Sequence, residues 1–390
     1  MVNRAFDAWR GDRRSYVFVI DSLQCGGAER HVVDLGQVLT DRGHSVTVAC
    51  SVGGHFQSAG ERAGVKVVPV CSKLAKRRFS ATFARRVRRL VQQEQPDLVH
   101  GHLYSGGLAA ALATAGNGIP LVLTEQTEAP WRNRRQRLAS SMAYRRATKI
   151  IGVSRAITAA IESDFGVARG KLSCIPNGVI LEQDATSRPR GAPVIGLVAR
   201  LTPEKDVQCF LNAALRIAGR FPAAKFRIAG DGPLRPELER LAAELGLAER
   251  VSFLGVLDEM QPFFASVHVL AVSSVAEGTP LSIVEAMGAG VPIVATAVGG
   301  IPEQVTDGRN GYLVEPRNPA ALAERIGWVL ADPDAATRLG EAGRARALSQ
   351  FTVEKMSDAI ESVYADALTR RRAARPAAAP ALEARPAERV

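Results

Sequence analysis

The stretch of sequence that decides the fold is SSVAEGTPLSIVEAMGAGVPIVAT, which runs from residue 273 to residue 296. Apolar, β-prone runs over 267–274 and 292–297 predict two buried strands. Between them, a loop over 275–279 leads into a short helix over 280–287, because proline suits a first helical position and the glycines that follow end a helix. A strand, a helix and a second strand in this order are typical of a parallel sheet.

The chemistry expected here follows from where this helix begins. A helix that starts at the carboxyl end of a parallel strand directs unpaired N–H groups and a partial positive charge into the adjoining crevice. This is a favourable place for a phosphate. The donor-binding residues predicted in this segment are Gly278, Thr279, Pro280, Leu281 and Ser282.

Two glutamates flank the predicted phosphate site, Glu277 in the loop and Glu285 one turn into the helix. A carboxylate on each side suits a ligand that has phosphates in the middle and a sugar at each end, which describes a nucleotide sugar. Two ordinary solvated glutamates would show the same spacing, so the spacing alone leaves both interpretations open.

Length and composition are those of a soluble globular protein with two domains. The longest apolar runs are strand-sized, well short of the ~20 residues that cross a bilayer. Residues 1–15 are polar and charged, so we expect an N-terminal extension, no signal peptide and a cytoplasmic location. The five cysteines are scattered along the chain and predict neither a metal site nor a disulfide framework.

The excess positive charge is confined to the first half of the chain. The net charge is +11, and residues 1–180 hold 26 Lys and Arg against 13 Asp and Glu. Two arginine-rich stretches, 73–89 and 132–146, use their apolar positions for the core, which leaves the arginines outside. Solvated charge is the commoner explanation, but the single sign favours peripheral contact with the inner face of the cytoplasmic membrane. The low aromatic content argues against nucleic acid as a partner.

Alternating strand and helix patterns predict an α/β protein of two Rossmann-like, doubly wound parallel-sheet domains that face each other across a cleft. The predicted divisions are an N-terminal acceptor-binding domain over 16–181, a linker over 182–193, a C-terminal nucleotide-sugar-binding domain over 194–350, a final amphipathic helix over 351–368, and a disordered tail over 369–390.

Residues at the predicted carboxyl ends of strands are the binding candidates, because ligands of doubly wound sheets bind at that edge. Gly26 and Gly27 follow the first strand and would let a ligand approach the backbone, although a tight turn alone would explain them. Arg200 and Lys205 follow the first strand of the second domain, where two cations would offset the charge of a leaving diphosphate. Gly230 follows the next strand, in a loop expected beside the nucleotide.

The end of the fourth strand, His102, and the end of the fifth, Glu125 and Gln126, are predicted to lie on the acceptor side. A histidine at a strand end is more often structural than ligand-binding. Asp332-Pro333-Asp334 matches a metal-binding Asp-x-Asp pattern, but its position between two predicted helices favours helix capping, so we expect no metal site.

Together these segments resemble the family 4 glycosyltransferases of the GT-B fold. The residues that carry the resemblance stand in family order between residues 16 and 366: Gly26-Gly27-Ala28-Glu29, Asp97-Leu98-Val99-His100-Gly101-His102, Pro176-Asn177-Gly178-Val179, Arg200 with Lys205, Gly230-Asp231-Gly232-Pro233, and Glu277 to Thr296.

The resemblance implies retaining transfer from a UDP- or GDP-linked sugar to a hydroxyl of a glycan or lipid-linked acceptor, in cell-surface polysaccharide, exopolysaccharide or glycolipid biosynthesis. It implies no catalytic metal and no other cofactor. It also implies that Glu285 holds the ribose, that Glu277 holds the donor sugar beside the reacting carbon, and that Arg200 and Lys205 neutralise the diphosphate. The glycine pair after the first strand would complete the phosphate site, and the last helix, over 351–368, would cross back to the first domain.

The chain departs from the family pattern where many members have a histidine near the donor sugar, since Gln126 stands there instead. Glutamine can donate a hydrogen bond but cannot take a proton. Two alternatives stay open. A nucleotide-sugar epimerase on the same fold would need acid–base groups that Gln126 does not supply. A non-catalytic sugar-nucleotide-binding partner in a polysaccharide assembly complex is disfavoured by the intact pairs of glutamates and cations.

Overall fold

In a computed structural model of the chain, the described residues are 12–24, 26–75, 79–127, 132–182 and 189–374, with side chains described as far as residue 370. They form two α/β domains and a long C-terminal helix. Most of the predicted N-terminal extension (1–11), the middle of the predicted linker (183–188) and the predicted tail from residue 375 onward lie outside the described residues.

The first domain is a parallel sheet of seven strands in the order β3-β2-β1-β4-β5-β6-β7. Its strands are β1 (Ser15–Ser22), β2 (Ser45–Val52), β3 (Lys66–Pro69), β4 (Leu98–His102), β5 (Leu121–Glu125), β6 (Lys149–Gly152) and β7 (Leu172–Cys174). Its helices are α1 (Gly27–Asp41), α2 (Gln57–Arg62), α3 (Ala81–Glu94), α4 (Leu103–Ala113), α5 (Arg134–Arg146) and α6 (Arg155–Phe165).

The second domain is a parallel sheet of six strands in the order β10-β9-β8-β11-β12-β13. Its strands are β8 (Val194–Val198), β9 (Lys225–Ala229), β10 (Val251–Gly255), β11 (Val269–Val272), β12 (Ile293–Thr296) and β13 (Tyr312–Val314). Its helices are α7 (Val207–Arg220), α8 (Arg235–Glu244), α9 (Gln261–Ala265), α10 (Leu281–Gly288), α11 (Ile301–Gln304), α12 (Pro319–Ala331) and α13 (Pro333–Gln350). The predicted fold class, two doubly wound parallel sheets, is confirmed.

Helices cover both faces of the first sheet, which explains why its central strands read as continuous apolar runs. One face carries α3, α4, α5 and α6, and the other carries α1 and α2. The last helix, α14 (Val353–Ala374), follows the second domain in sequence but packs on the first, where Met356, Ile360 and Tyr364 join the core beside α1. The helix also extends past residue 368, where the sequence predicted it to end.

Charged groups fasten α14 to the first domain. Glu361 is fully buried; it accepts hydrogen bonds from the Arg42 guanidinium and lies 3.3 Å from His44 Nε2. The chain therefore crosses between the domains twice, before β8 and again at α14, which ties the two sheets together at one side of the cleft.

Local signals explain most of the boundaries in the sequence that decides the fold. Pro280 is the N-cap residue of α10 rather than its first helical residue. The strand predicted over 267–274 is shorter, Val269–Val272, because the chain leaves the sheet at the pair of serines that follows. Asp332 caps α13, with its Oδ1 2.9 Å from the backbone N of Ala335, as the sequence predicted.

Each sheet reverses its strand order once, and these reversals place the site. The reversal falls between β1 and β4 in the first sheet and between β8 and β11 in the second. Ligands of such sheets bind in the crevice beside the carboxyl ends of the strands at this point. Of the predicted residues, the glycine pair follows β1 and His102 is the last residue of β4, while Arg200, Lys205 and Glu277 follow the two strands of the second reversal.

No helix among the described residues combines the length and the apolar character needed to cross a membrane.

Candidate active site

The centre of the candidate site is an ion pair between Lys205 and Glu277. The Lys205 Nζ lies 2.5 Å from Glu277 Oε1, and the side chains are 19% and 9% exposed. The Ser274 hydroxyl donates to the same carboxylate oxygen at 2.7 Å. No hydrogen bond or ion pair among the described residues uses the other oxygen, Oε2, which leaves it available to a hydroxyl of a ligand.

Lys205 is held in place by backbone geometry on both sides of the second sheet's reversal. A 3₁₀ turn over Pro203–Lys205 is followed by Asp206 in the left-handed region, with φ 44°, as the N-cap of α7. Across the reversal, the Ser273 hydroxyl donates to the Lys205 carbonyl at 2.9 Å. The Val275 N–H donates to the Glu204 carbonyl at the same distance. The loops after β8 and β11 therefore fix the lysine and the glutamate as one unit.

The N-terminal ends of two helices meet opposite each other across the cleft. A Cβ atom built on Gly27, the first residue of α1, would lie 3.6 Å from the side chain of Leu281, the first residue of α10. Neither helix has a side chain that accepts a hydrogen bond at its N-cap, Gly26 or Pro280. First-turn N–H groups and both helix dipoles favour a phosphate here, while the buried carboxylate of Glu29 in the first turn of α1 opposes part of that effect.

Glu285 lies on α10, and its carboxylate lies close to the guanidinium of Arg30 in the first domain. The Arg30 Nη1 lies 3.8 Å from Glu285 Oε1, while its Nε donates to both oxygens of Asp34 at 3.0 and 2.9 Å. Burial raises the pKa of Glu285, the Arg30 guanidinium lowers it, and Asp34 raises it again. Arg30 therefore favours the ionised form of Glu285, which is the form that accepts two hydrogen bonds from a hydroxyl pair.

Arg200 and Gly230 lie at the neighbouring strand ends. The side chain of Arg200 is exposed directly after β8 and forms no ion pair among the described residues. Gly230 has a φ of +125°, and a Cβ atom there would lie 2.0 Å from the Ala199 carbonyl oxygen. Glycine is thus required for the loop after β9 to pack on the strand end that carries Arg200.

Close backbone contact joins the two domains at the loop before α10. A Cβ atom on Gly278 would lie 1.9 Å from the Gln126 carbonyl oxygen, so only glycine fits there. The Thr279 hydroxyl donates to the Val153 carbonyl, and the Asn177 amide lies 3.3 Å from the Thr279 carbonyl. Gly278 and Thr279, both predicted donor-binding residues, therefore face the first domain in this conformation.

The amide oxygen of Gln126 is hydrogen-bonded, whereas its amide nitrogen is buried without a hydrogen-bond partner among the described residues. Its Oε1 accepts a hydrogen bond from Asn177 Nδ2 at 2.8 Å, which orients Nε2 as a donor. The side chain is 7% exposed, and Nε2 has no hydrogen-bond partner among the described residues. A glutamine amide held this way can donate hydrogen bonds through its two N–H groups but cannot take up a proton.

The other two residues predicted on the acceptor side are not open to an acceptor in this structure. His102 is fully buried against the rings of His31, His100 and Phe18, because the end of β4 is covered by α1. Burial lowers the pKa of His102 well below its usual value, so the ring is neutral. The geometry supports the alternative that this strand-end histidine is structural.

Glu125 is likewise engaged inside the first domain. Its two carboxylate oxygens lie 2.7 Å from Arg132 Nη2 and 2.7 Å from the Tyr144 hydroxyl, and Arg132 also donates to that hydroxyl at 2.8 Å. The closed triangle of hydrogen bonds holds the segment before α5 against β5. The sequence could not show this, because the three residues come from separate elements.

Several residues of the site were not selected from the sequence. Arg30 follows directly after the Gly-Gly-Ala-Glu segment, and Asn177 was named only within the Pro-Asn-Gly-Val segment that carries the family resemblance. The Glu303 carboxylate was missed as well; it accepts from the Arg155 N–H at 2.7 Å and so caps α6 from the other domain. The sequence signal for such residues is a polar side chain at the end of a strand or helix. That signal does not identify the partner of the side chain, because the partner lies in the opposite domain.

Among the described residues, no group of three or more His, Cys, Asp or Glu side chains is arranged to hold a metal ion.

Comparison with known proteins agrees with this geometry. Residues 25–183 match the profile of "Glycosyltransferase Family 4", and residues 192–332 match that of "Glycosyl transferases group 1". A D-inositol 3-phosphate glycosyltransferase of Streptomyces scabiei is 31% identical over 307 residues, covering 70% of this chain and 68% of the relative. The enzyme of the same name from Geodermatophilus obscurus is 29% identical and covers 93% and 89%.

Solved structures show the same architecture. The crystal structure of Anabaena HepE in complex with UDP and glucose superposes with a TM-score of 0.79 at 25% identity, covering 90% of this chain and 99% of that one. WaaG, a glycosyltransferase involved in lipopolysaccharide biosynthesis, superposes with a TM-score of 0.72 at 18% identity, which supports the fold alone. The sequence profiles, the relatives and the two-domain architecture agree, and the chain belongs to the family 4 glycosyltransferases of the GT-B fold.

Proposed function

We propose that this glycosyltransferase is a retaining enzyme that moves a sugar from a nucleotide-diphosphate sugar to a hydroxyl of a glycan or lipid-linked acceptor in cell-surface polysaccharide or glycolipid biosynthesis. The observation that carries the proposal is the Lys205–Glu277 ion pair beside two opposed helix N-termini. A UDP-linked sugar is the first candidate, because the Anabaena structure that this chain resembles contains UDP and glucose. A GDP-linked sugar is the second.

In this proposal the donor lies across the cleft with its diphosphate between the N-termini of α1 and α10. Lys205 and the exposed Arg200 supply two positive side chains there, while first-turn N–H groups supply hydrogen bonds. Glu285 accepts hydrogen bonds from the ribose hydroxyls, aligned by Arg30. Glu277 accepts from a hydroxyl of the donor sugar through Oε2, while Lys205 and Ser274 hold its other oxygen.

The residues then act mainly on the charge of the leaving group. As the bond between the anomeric carbon and the β-phosphate oxygen breaks, negative charge grows on the diphosphate, and the fixed cations stabilise it. The acceptor oxygen bonds to the same face of the anomeric carbon, and its proton passes to the departing phosphate oxygen. Gln126 takes no proton in this scheme; its Nε2 donates a hydrogen bond to the donor sugar.

The proposal also covers the acceptor and the location of the enzyme in the cell. Relatives at about 30% identity are named for D-inositol 3-phosphate, an acceptor that carries a phosphate. The strongly basic first domain suits an anionic acceptor and an anionic membrane surface equally well. We therefore infer a cytoplasmic enzyme that contacts the inner face of the cytoplasmic membrane and does not bind nucleic acid.

A thermal-shift panel of UDP- and GDP-linked sugars tests the donor. A ligand at 100 times its Kd stabilises the folded state by about 2.7 kcal/mol, which a melting curve detects easily. Acceptor-dependent release of the nucleoside diphosphate then tests transfer, with D-inositol 3-phosphate and lipid-linked glycans as acceptors. The anomeric configuration of the product, measured by NMR, tests retention.

Three results would argue against the proposal. Interconversion of the donor sugar without nucleotide release would indicate an epimerase. Donor binding without transfer to any acceptor would indicate a non-catalytic binding protein. Loss of transfer in EDTA, restored by a divalent cation, would contradict the expectation that Lys205, Arg200 and the helix ends replace a metal.

A further inference from the structure

One outer face of the first domain has an unusual charge pattern. The helices α3, α4 and α5 pack side by side on the same face of the sheet. Together they contain nine arginines and one carboxylate, Glu94, which pairs with Lys66. The arginines, all exposed, are Arg85, Arg86, Arg88, Arg89, Arg134, Arg135, Arg137, Arg145 and Arg146.

These arginines are largely without acidic partners. Among the described residues, only Arg137 of the nine pairs with a carboxylate, Asp164 on the neighbouring α6, at 3.1 Å. Three others contact backbone carbonyl oxygens: Arg85 that of Ala81, Arg86 that of Val70 and Arg146 that of Thr114. A surface stabilised by its own ion pairs would alternate in sign; this one leaves its positive charge directed outward.

Apolar side chains project from the middle of this basic face. Leu138 is 65% exposed and Met142 63% exposed, and they stand four positions apart on α5, which makes them neighbours on the helix surface. At about 100° per residue they lie opposite Ser140, which is buried against the sheet side. The same spacing puts Arg134 and Arg145 on one side of the pair.

The arrangement continues across the face. Arg135 and Arg146 lie on the other side of the exposed pair by the same helical spacing. On α4, Leu112 is 43% exposed, and before α3, Phe79 is 59% exposed. On α5, an exposed apolar pair bordered by arginines is the pattern of a helix that lies in the plane of a membrane interface, with its apolar residues among the acyl chains and its cations at the phosphates.

We propose that the outer face of α3, α4 and α5 docks the enzyme on an anionic lipid bilayer, with Leu138 and Met142 inserted between the headgroups and the arginines bound to lipid phosphates. This inference rests on the proposed function, in that it assigns the membrane partner to one surface. Charge complementarity favours lipid phosphate as the partner. The exposed aliphatic side chains favour a bilayer over a nucleic acid, which would instead need aromatic side chains for stacking.

Docking by this face orients the active site. The segment between β5 and α5 begins at Gln126, at the cleft, and α5 begins at Arg134. The opposite face of the sheet is covered by α1 and α14. The bilayer would therefore lie beside the cleft rather than behind it, where a hydroxyl on a lipid-linked acceptor can enter from the membrane surface.

Vesicle sedimentation of the full chain tests the surface. Vesicles of phosphatidylcholine are compared with vesicles that contain about 30% phosphatidylglycerol, at low and high salt. We expect the wild type to bind the anionic vesicles at least about tenfold more tightly and to lose that preference at high salt. Leu138→Ser with Met142→Ser should weaken binding about tenfold while all nine arginines remain. Arg134→Gln with Arg135→Gln should weaken binding and reduce its salt dependence.

A matched control uses an exposed leucine and arginine of the second domain. Leu215, 44% exposed on α7, and its exposed neighbour Arg216 are changed to Ser and Gln, and vesicle binding should not change. Insertion is tested separately by Met142→Trp, whose fluorescence should shift to shorter wavelength with anionic vesicles. Melting temperatures close to that of the wild type show that each variant is folded.

The docking proposal is overturned if neutral and anionic vesicles bind equally, if the double serine variant binds like the wild type, if Met142→Trp shows no shift, or if a duplex RNA binds more tightly than the vesicles. A water-soluble acceptor separates this proposal from the transferase function. With it, nucleotide release should be the same in the wild type and the docking variants. Vesicle binding without any transfer would support the docking surface and end the proposed function.

Discussion

The sharpest test of the site is Lys205→Met, which removes the positive charge and keeps most of the side-chain length. Lys205 contacts Glu277 at 2.5 Å and has its backbone fixed by Ser273. The variant therefore keeps the loop and loses one cation. If this cation stabilises the leaving diphosphate, the variant should bind and fold but turn over slowly.

The expected losses of turnover and of stability follow from the role of Lys205 and from the exposure of its ion pair with Glu277. Loss of one fixed electrostatic stabiliser lowers kcat by about 100- to 1000-fold, or about 2.7–4 kcal/mol. Breaking a buried ion pair costs about 3–5 kcal/mol of stability and breaking an exposed one about 0–1 kcal/mol. With side chains 19% and 9% exposed, we expect the free energy of unfolding to fall by about 2 kcal/mol.

A double variant separates the two effects. Lys205→Met with Glu277→Gln removes both charges, so no buried carboxylate is left unpaired, and stability should return toward that of the wild type. Activity should not return, because the cation is still missing and the carboxylate proposed to hold the donor sugar is gone as well. The assays are urea unfolding and nucleoside diphosphate release with the best acceptor of the wild type. Lys205→Arg is the control that keeps the charge.

The reasoning is refuted if Lys205→Met keeps kcat within about fivefold of the wild type, since a fixed cation at the leaving group cannot be worth so little. It is equally refuted if the double variant regains both stability and turnover. That outcome would mean that the pair only holds the two loops together.

Three further predictions concern the domain contact, the ribose side and the core. Gly278→Ala places a methyl group against the Gln126 carbonyl, so the domains must separate locally; we expect a lower melting temperature and at least about tenfold weaker donor binding by calorimetry, and unchanged values of both would contradict the contact. Arg30→Met removes the cation that lowers the pKa of Glu285, so the acid limb of kcat/KM should move to higher pH, while an unmoved limb would exclude this role. Burial lowers the pKa of His31 to about 4 from its usual 6.5, so its contribution to stability is complete above about pH 6.5 and is lost as the pH falls toward 4, by up to about 3 kcal/mol; urea unfolding between these values should show at least this loss, because the lowered pKa of the neighbouring His102 adds to it, and a flat profile would show that the rings are solvated.

The sequence was sufficient for the fold because its signals are local. Apolar runs of strand length separated by amphipathic helices predict a doubly wound sheet wherever they occur. Even the helix boundary at Asp332 could be predicted, because the N–H that its side chain caps lies only three residues away.

The candidate site was predictable where one strand end supplies the residue. Glu277 and Lys205 each follow a strand of the same reversal, and general sheet topology brings such positions together. The acceptor side shows the limit of this reasoning. Glu125 also closes a strand, but its partners Arg132 and Tyr144 come from elements whose packing no local pattern encodes.

By itself, then, the sequence determined the two sheets, the helix that follows Pro280 and the residues placed at the edge of each sheet. The tertiary structure alone decided which of those residues face the cleft: it paired Lys205 with Glu277, brought Arg30 to Glu285 from the other domain and buried His102 under α1. The physical reason is that secondary structure follows from neighbours a few residues apart, whereas the environment of a polar side chain depends on surfaces that meet only when both domains have folded.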